Sequence, residues 1–270
     1  MLANDTLAQR TVAITGAGTG IGAGFARRAS ALGATVALIG RREELLQRTA
    51  SDIAAHGGRA HVYPLDIRKP DAVQAAMDRI VADTGSLDVL INNAAGNFVV
   101  RAEDLTPNGW TTVINTVLNG TAYCTLAAGR HMLKQGRGKV LSISAAYAWY
   151  GGPGTVHSAA AKAGVIAMSQ TLAVEWGPRN VQVNCLCPGF VDTEQSRTAL
   201  WPTEEGRKTI LQSIPAGRFE TVEETVEIGL FLCSPMADYI NGEVLVADGG
   251  QWLNKGVLVP PKPGARYQKV

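Results

Sequence analysis

The chain has 270 residues, 46% of them hydrophobic, and carries 25 basic against 23 acidic side chains. That length is enough for one large α/β domain with a well-buried core and short for two. No basic tract points to nucleic acid, no apolar run reaches the roughly 18 residues of a membrane span, and residues 1–10 lack the charged-then-apolar layout of a signal peptide. Cys124, Cys185, Cys187 and Cys233 form no CxxC pair. They read as reduced core thiols in a cytoplasmic-type compartment, and no metal site is expected.

Residues 10–15 are a short apolar run, read as the first strand, and a glycine-rich turn follows from Gly16 to Gly22. Residues 23–32 read as a helix, 34–39 as a strand, 42–56 as a helix, 60–65 as a strand, 70–83 as a helix and 87–92 as a strand. Strands separated by helical patterns of this length make βαβ units, hence a parallel sheet with helices on both faces. Buried on both sides, such strands are continuous apolar runs. The alternation continues after Pro107, which suits a first helical turn. A helix over 119–135, a strand over 139–144, a helix over 156–175 and a strand over 181–186 come next. Residues 192–216 are polar and longer than ordinary connections, and are expected to form an irregular substrate lid. Thr221 with Glu224 three residues on reads as a capping box for a helix to residue 232. A seventh strand covers 242–247, and residues 253–270 are expected to run as an extended tail along a surface or a neighbouring subunit. With no internal repeat or linker, residues 1–270 are expected to be one domain.

The turn Gly16-Ala-Gly-Thr19-Gly20-Ile21-Gly22 lies between the first strand and the first helix. Glycines there let the backbone approach a pyrophosphate and present the helix amides and dipole to it. At the end of the second strand an Asp or Glu would meet a free ribose 2′-hydroxyl. The chain has Arg41 and Arg42 instead, whose guanidinium groups suit a 2′-phosphate, so NADPH/NADP+ is the expected cofactor. Asp66, after the third strand, is a candidate acceptor for an adenine amino group or an N-cap for the next segment.

Thr15-Gly16 with Gly20-Ile21-Gly22, Asn92-Asn93-Ala94, Asn119-Gly120-Thr121, the helix bearing Lys162, and Pro188-Gly189 occur in an order and spacing that resembles the short-chain dehydrogenase/reductase family. The resemblance implies a Rossmann-type doubly wound parallel sheet of about seven strands. It also implies cofactor contacts at the glycine turn, Ile67, Asn93, Ala94, Lys162, Pro188, Gly189 and Val191. In that family a helix asparagine, matching Asn119, orders a proton-relay water. A serine near the fifth strand, here Ser142 or Ser144, polarises the substrate. A lysine, matching Lys162, holds the nicotinamide ribose and lowers the pKa of a tyrosine four residues earlier. That tyrosine is missing, because Ser158 stands at its position.

The departure fits a narrower likeness. The run Asn92 to Phe98, a tyrosine fifteen residues before Lys162, Ser158, and the Leu172–Gly177 and Val246–Gly250 stretches resemble the 2,4-dienoyl-CoA reductases of fatty acid β-oxidation. The likeness implies that Tyr147 is the catalytic phenol, with Asn97 its partner, Ser158 at the site, an acyl-CoA substrate and a homotetramer. Tyr150 is a second candidate phenol. The Val156-His157-Ser158 stretch is shared with peroxisomal trans-2-enoyl-CoA reductases; His157 itself reads as a structural or rim residue. Arg197, Arg207 and Lys208 are candidates for attracting the phosphates of coenzyme A, against the alternative of a solvated charged segment. Other readings are a ketone or alcohol oxidoreductase using Tyr147 or Tyr150, and a non-catalytic NADP-binding module.

Overall fold

A computed structural model describes residues 2–254. Its seven strands form one sheet in the order β3-β2-β1-β4-β5-β6-β7, every neighbouring pair parallel. They are β1 (Thr11–Thr15), β2 (Thr35–Gly40), β3 (Arg59–Pro64), β4 (Val89–Asn92), β5 (Gly138–Ile143), β6 (Val181–Pro188) and β7 (Val244–Ala247). The order turns back at β1, which pairs with both β2 and β4. In a doubly wound sheet that reversal opens a crevice at the carboxyl ends of the strands. The Rossmann-type architecture is as expected.

Alternate strand residues face opposite sides, and each side has its own core. On one, Val12, Ile14, Leu38 and Ile91 pack against α1 (Gly20–Ala31), α2 (Glu43–Ala55) and a helix over Val222–Cys233. On the other, Ala13, Ile39 and Leu90 pack against α3 (Pro70–Thr84), a helix over Gly120–Gln135 and a helix over Val156–Trp176. In chain order the remaining helices are α4 (Pro107–Val113), then α5 (Gly120–Gln135), α6 (Tyr147–Tyr150), α7 (Val156–Trp176), α8 (Glu194–Leu200), α9 (Glu204–Ser213) and α10 (Val222–Cys233). The capping box is present: Thr221 accepts from the Glu224 N–H at 3.1 Å, and the Glu224 carboxylate accepts from the Thr221 N–H at 3.0 Å.

Three local expectations need correction. The fourth strand begins at Val89, because the buried Asp88 side chain accepts the Thr11 N–H at 2.9 Å and pairs with Arg137. Residues 192–216 are not irregular: they hold α8 and α9, folded over a small core of Trp201, Ile214 and Phe219. Between α4 and α5 the chain makes a π turn over Ile114–Asn119, a widened turn of the kind common at functional sites. Of the expected tail, residues 255–270 lie outside the described part of the chain.

The two long helices on the second face meet tightly. A Cβ on Gly129 of α5 would stand 2.3 Å from the Trp176 ring. Alanine ordinarily gains up to about 1 kcal/mol over glycine within a helix, but overlap with a buried indole costs about 1–3 kcal/mol. Gly129→Ala is therefore expected to lower the unfolding free energy by about 1–2 kcal/mol in urea denaturation. Equal or greater stability would show that the helices can separate freely.

Candidate active site

A cleft of about 360 Å³ opens at the carboxyl edge of the sheet, over the reversal at β1. Its floor is knitted by side chains at strand ends. The Thr15 hydroxyl accepts the N–H groups of Asn93 and Ala94, each at 3.0 Å, and the Asn93 amide donates to the Thr15 carbonyl at 3.0 Å. Gly22 packs so closely on the Gly16 carbonyl that a Cβ would stand 2.2 Å from the oxygen. Thr19, the residue before α1, makes no side-chain cap. The first amides of α1 thus face the cleft without a capping side chain, as an anion site at a helix start requires.

Most expected cofactor residues line this cleft: Gly16, Thr19, Gly20, Ile21, Arg41, Arg42, Asp66, Ile67, Asn93, Ala94 and Lys162. Gly22 supports the turn from behind. Pro188, Gly189 and Val191 are not among the lining residues; Gly189 borders a second cavity, and Val191 is buried. Asp66 is held by Arg68, which donates to both carboxylate oxygens at 2.9 Å and keeps its carboxyl down at about 2. Arg68 lines the cleft beside Arg41 and Arg42, a third guanidinium that no sequence motif singles out. So do Thr116, and Thr193, Gln195 and Ser196 from the start of the α8 segment. Their contribution depends on tertiary folding and has no local sequence signal.

The expected catalytic residues divide. Tyr147, Asn97, Lys162 and Ser144 line the cleft. The Tyr147 hydroxyl and Ser158 Oγ are hydrogen-bonded at 2.9 Å, so Ser158 reaches the site through the phenol. Tyr150, on the same one-turn helix, is 45% exposed and does not line the cleft. Ser142 is buried and accepts from Asn92 at 3.3 Å, away from the cleft. Asn119 also stays out of the cleft. Its amide donates to Asn115 Oδ1 at 2.8 Å within the π turn, and Thr116 faces the site instead. The widened turn changes the angle between neighbouring residues from that of an α-helix.

Electrostatics also differ from expectation. The family resemblance has Lys162 lowering the pKa of the phenol. Burial instead raises Tyr147, with Ser158 pulling the other way and the neighbouring Cys187 adding to the rise. Lys162 points elsewhere: its Nζ donates to the Ile143 carbonyl at 2.5 Å, and burial brings the ammonium down to about 8. Tyr147 is therefore a neutral hydrogen-bond donor at neutral pH. Asn97 is oriented by its own backbone: its Oδ1 accepts the Phe98 N–H at 2.9 Å, committing the oxygen and leaving the NH2 as the free end. The segment after it is clamped. Val100 N–H donates to the Gly154 carbonyl at 3.0 Å, and the Phe98 ring lies tilted against the fully buried His157, ring centroids 4.5 Å apart. In the 192–216 segment, Arg197 is paired with Asp192 and Arg207 lies over Phe219 at 5.0 Å, so neither is an unengaged cation.

Residues 16–251 match the family model described as enoyl-(acyl carrier protein) reductase. The chain is 43% identical over 248 residues to the "Probable 2,4-dienoyl-CoA reductase", (2E)-enoyl-CoA-producing, of Bacillus subtilis (strain 168), covering 91% of this chain and 98% of that one. It is 35% identical over 250 residues to the peroxisomal 2,4-dienoyl-CoA reductase, (3E)-enoyl-CoA-producing, of Rattus norvegicus, covering 92% and 86%. The 3-oxoacyl-[acyl-carrier-protein] reductase FabG of Chlamydia muridarum is 34% identical, with 92% and 99% covered. Among solved structures, a short chain dehydrogenase from Bacillus anthracis superposes with a TM-score of 0.82 at 43% identity, covering 90% and 96%. A gluconate 5-dehydrogenase from Beutenbergia cavernae with bound NADP gives 0.88 at 33% identity, covering 93% and 100%. The uncapped helix start and the glycine turn fit a dinucleotide. The chain belongs to the short-chain dehydrogenase/reductase family and is an NAD(P)-dependent oxidoreductase.

Proposed function

We propose that the chain reduces 2,4-dienoyl-CoA thioesters to 3-enoyl-CoA with NADPH. The observation that carries this reading is the pairing of two neutral donors, the Tyr147 hydroxyl and the Asn97 NH2, in one cleft with Lys162, whose ammonium donates to the Ile143 carbonyl.

Gly16, Thr19, Gly20 and Ile21 would hold the cofactor pyrophosphate, Arg41 and Arg42 the 2′-phosphate, and Lys162 the nicotinamide ribose. The cofactor, when bound, supplies the hydride. In a ketone, that hydride and the proton go to adjacent atoms. In a dienoyl thioester the hydride enters at the δ-carbon, and negative charge develops several bonds away on the thioester oxygen. Donors displaced along the substrate are then required, and a donor of this kind is worth about 3–4 kcal/mol of the barrier. A phenol moved fifteen residues ahead of Lys162, with its pKa raised by burial, suits that task. For the phenol to donate to the substrate, Ser158 must be the donor in their shared hydrogen bond, which holds the phenol's orientation. Protonation at the α-carbon, beside the stabilised oxygen, gives the 3-enoyl product; protonation at the γ-carbon gives the 2-enoyl isomer. The acid sits at the thioester end, which favours the α-carbon. The relatives' names divide on this point, (2E) for the Bacillus protein and (3E) for the rat protein.

The proposal includes a homotetramer in the cytoplasm. Leu126 on α5 and Val174 on α7 are 46% and 78% exposed, apolar positions suited to burial against a twin. Among the described residues no helix is long and apolar enough to cross a membrane. Residues 192–216 act as the substrate lid, since Gln195, Ser196, Ala199 and Leu200 border the cleft.

Tyr147→Phe and Asn97→Ala are each expected to lower kcat with a 2,4-dienoyl-CoA by about 10²–10³, followed as NADPH consumption. Unchanged rates in both would remove them from the mechanism. Replacing Arg41 and Arg42 together by alanine is expected to raise the KM for NADPH about tenfold to a hundredfold, as loss of charged hydrogen bonds does, while the KM for NADH stays level. Equal effects on both coenzymes would exclude a 2′-phosphate contact.

A further inference from the structure

The chain leaves the sheet after β6 and returns through Phe219 and Glu220, with α8 and α9 between. This insert has its own core. Trp201 stacks on Phe219 at 5.1 Å, Phe190 meets Trp201 edge-on at 5.4 Å, and Ile214 is buried with them. At its base, Thr193 caps α8 and places its methyl 3.5 Å from where a Cβ on Gly20 would stand. The insert thus begins directly across the glycine turn.

Both ends of the insert meet at one residue. The Glu220 N–H donates to the Phe190 carbonyl at 3.0 Å, and its carbonyl accepts from the Asp192 N–H at 3.0 Å, an isolated parallel bridge to Val191. Its side chain adds two bonds of a different kind. Oε2 accepts the Gly189 N–H at 2.7 Å and Oε1 accepts the Thr225 hydroxyl at 2.7 Å. The Gly189 N–H is shared with the Ala247 carbonyl at 2.9 Å. One carboxylate therefore links the end of β6 to α10, while the backbone of the same residue holds the insert. Burial raises its pKa, and the Thr225 and Gly189 bonds oppose the rise. A partly buried acid is costly unless its oxygens are both satisfied, as they are here.

We propose that Glu220 is a positioning residue for cofactor retention: its carboxylate ties the end of β6, where the insert departs, to α10, beyond where it returns, so that Thr193 and α8 stay closed over the glycine turn. The proposal rests on the cleft being the cofactor site and is independent of the acyl-CoA reading. Backbone bonds at Phe190 and Asp192 survive any side-chain change, so the carboxylate can be tested by itself.

Glu220→Ala, Glu220→Gln and Thr225→Val in the full chain separate clasping from general stability. NADPH and NADH dissociation constants are measured by fluorescence titration, and amide hydrogen exchange is followed across residues 189–213. Glu220→Ala is expected to weaken coenzyme binding about tenfold, the usual loss for a buried charged acceptor, and to speed exchange in the insert. The loss falls on the coenzyme KM and not on kcat. Glu220→Gln, whose amide oxygen still accepts the Gly189 N–H, is expected to recover most of the affinity. Coenzyme affinity in Glu220→Ala equal to the unaltered chain overturns the proposal, as does an equal loss in the alanine and glutamine variants. If Glu220→Ala does not fold, Thr225→Val decides: weaker binding with faster insert exchange supports the clasp, and unchanged binding overturns it. Failure of the unaltered chain to bind either coenzyme would overturn the cofactor site and this proposal with it, whereas binding without dienoyl-CoA turnover would overturn only the substrate reading.

Discussion

Seven parallel strands end on one edge, and the backbone groups there run out of ladder partners. The chain answers at each strand end with a side chain or a turn. Thr15 takes the amides that leave β4. Ile143, the last residue of β5, offers its carbonyl to Lys162. Gly189, just past β6, gives its N–H to Glu220. The first two contacts fix pieces of the cleft and the third lies where the insert beside it begins, so the cleft is built from the same groups that close the sheet. The reversal at β1 opens the space, and the glycine turn keeps it clear of side chains.

Within that frame Lys162 and Tyr147 line one cleft but bond to different partners. A lysine next to a phenol would make it more acidic and suit proton exchange at a carbonyl. Here the ammonium is tied to the Ile143 carbonyl and the phenol is buried against Ser158. Burial disfavours the phenolate, leaving a neutral donor. Asn97 is a neutral donor for a separate reason, because the Phe98 N–H occupies its oxygen. In the proposed reaction two neutral donors would stabilise a developing oxyanion without competing to be deprotonated.

The strands and the glycine turn were legible because burial on both faces forces continuous apolar runs, and close backbone approach forces glycine. The Arg41-Arg42 pair could be placed at the end of the second strand, and both residues line the cleft. Other features depend on distant partners. The α8 and α9 helices read as an irregular polar loop, since their buried side faces a small local core of Trp201, Ile214, Phe219 and Phe190, and the ends of their segment are joined by the Glu220 bridge. Tyr147 could be placed by resemblance, while its one-turn helix and its bond to Ser158 could not. Asn119 was proposed for the site by resemblance alone; it lies in the π turn, from which Thr116 lines the cleft.

Hydride entry far from the oxygen stabilised by Tyr147 and Asn97 is the central claim. The most direct measurement is turnover of a 2,4-dienoyl-CoA with NADPH carrying deuterium at the transferred position, with the product read by NMR. The expected product carries deuterium at the δ-carbon and its remaining double bond between the β- and γ-carbons. Deuterium at the β-carbon, or transfer only to substrates with a ketone, would contradict it.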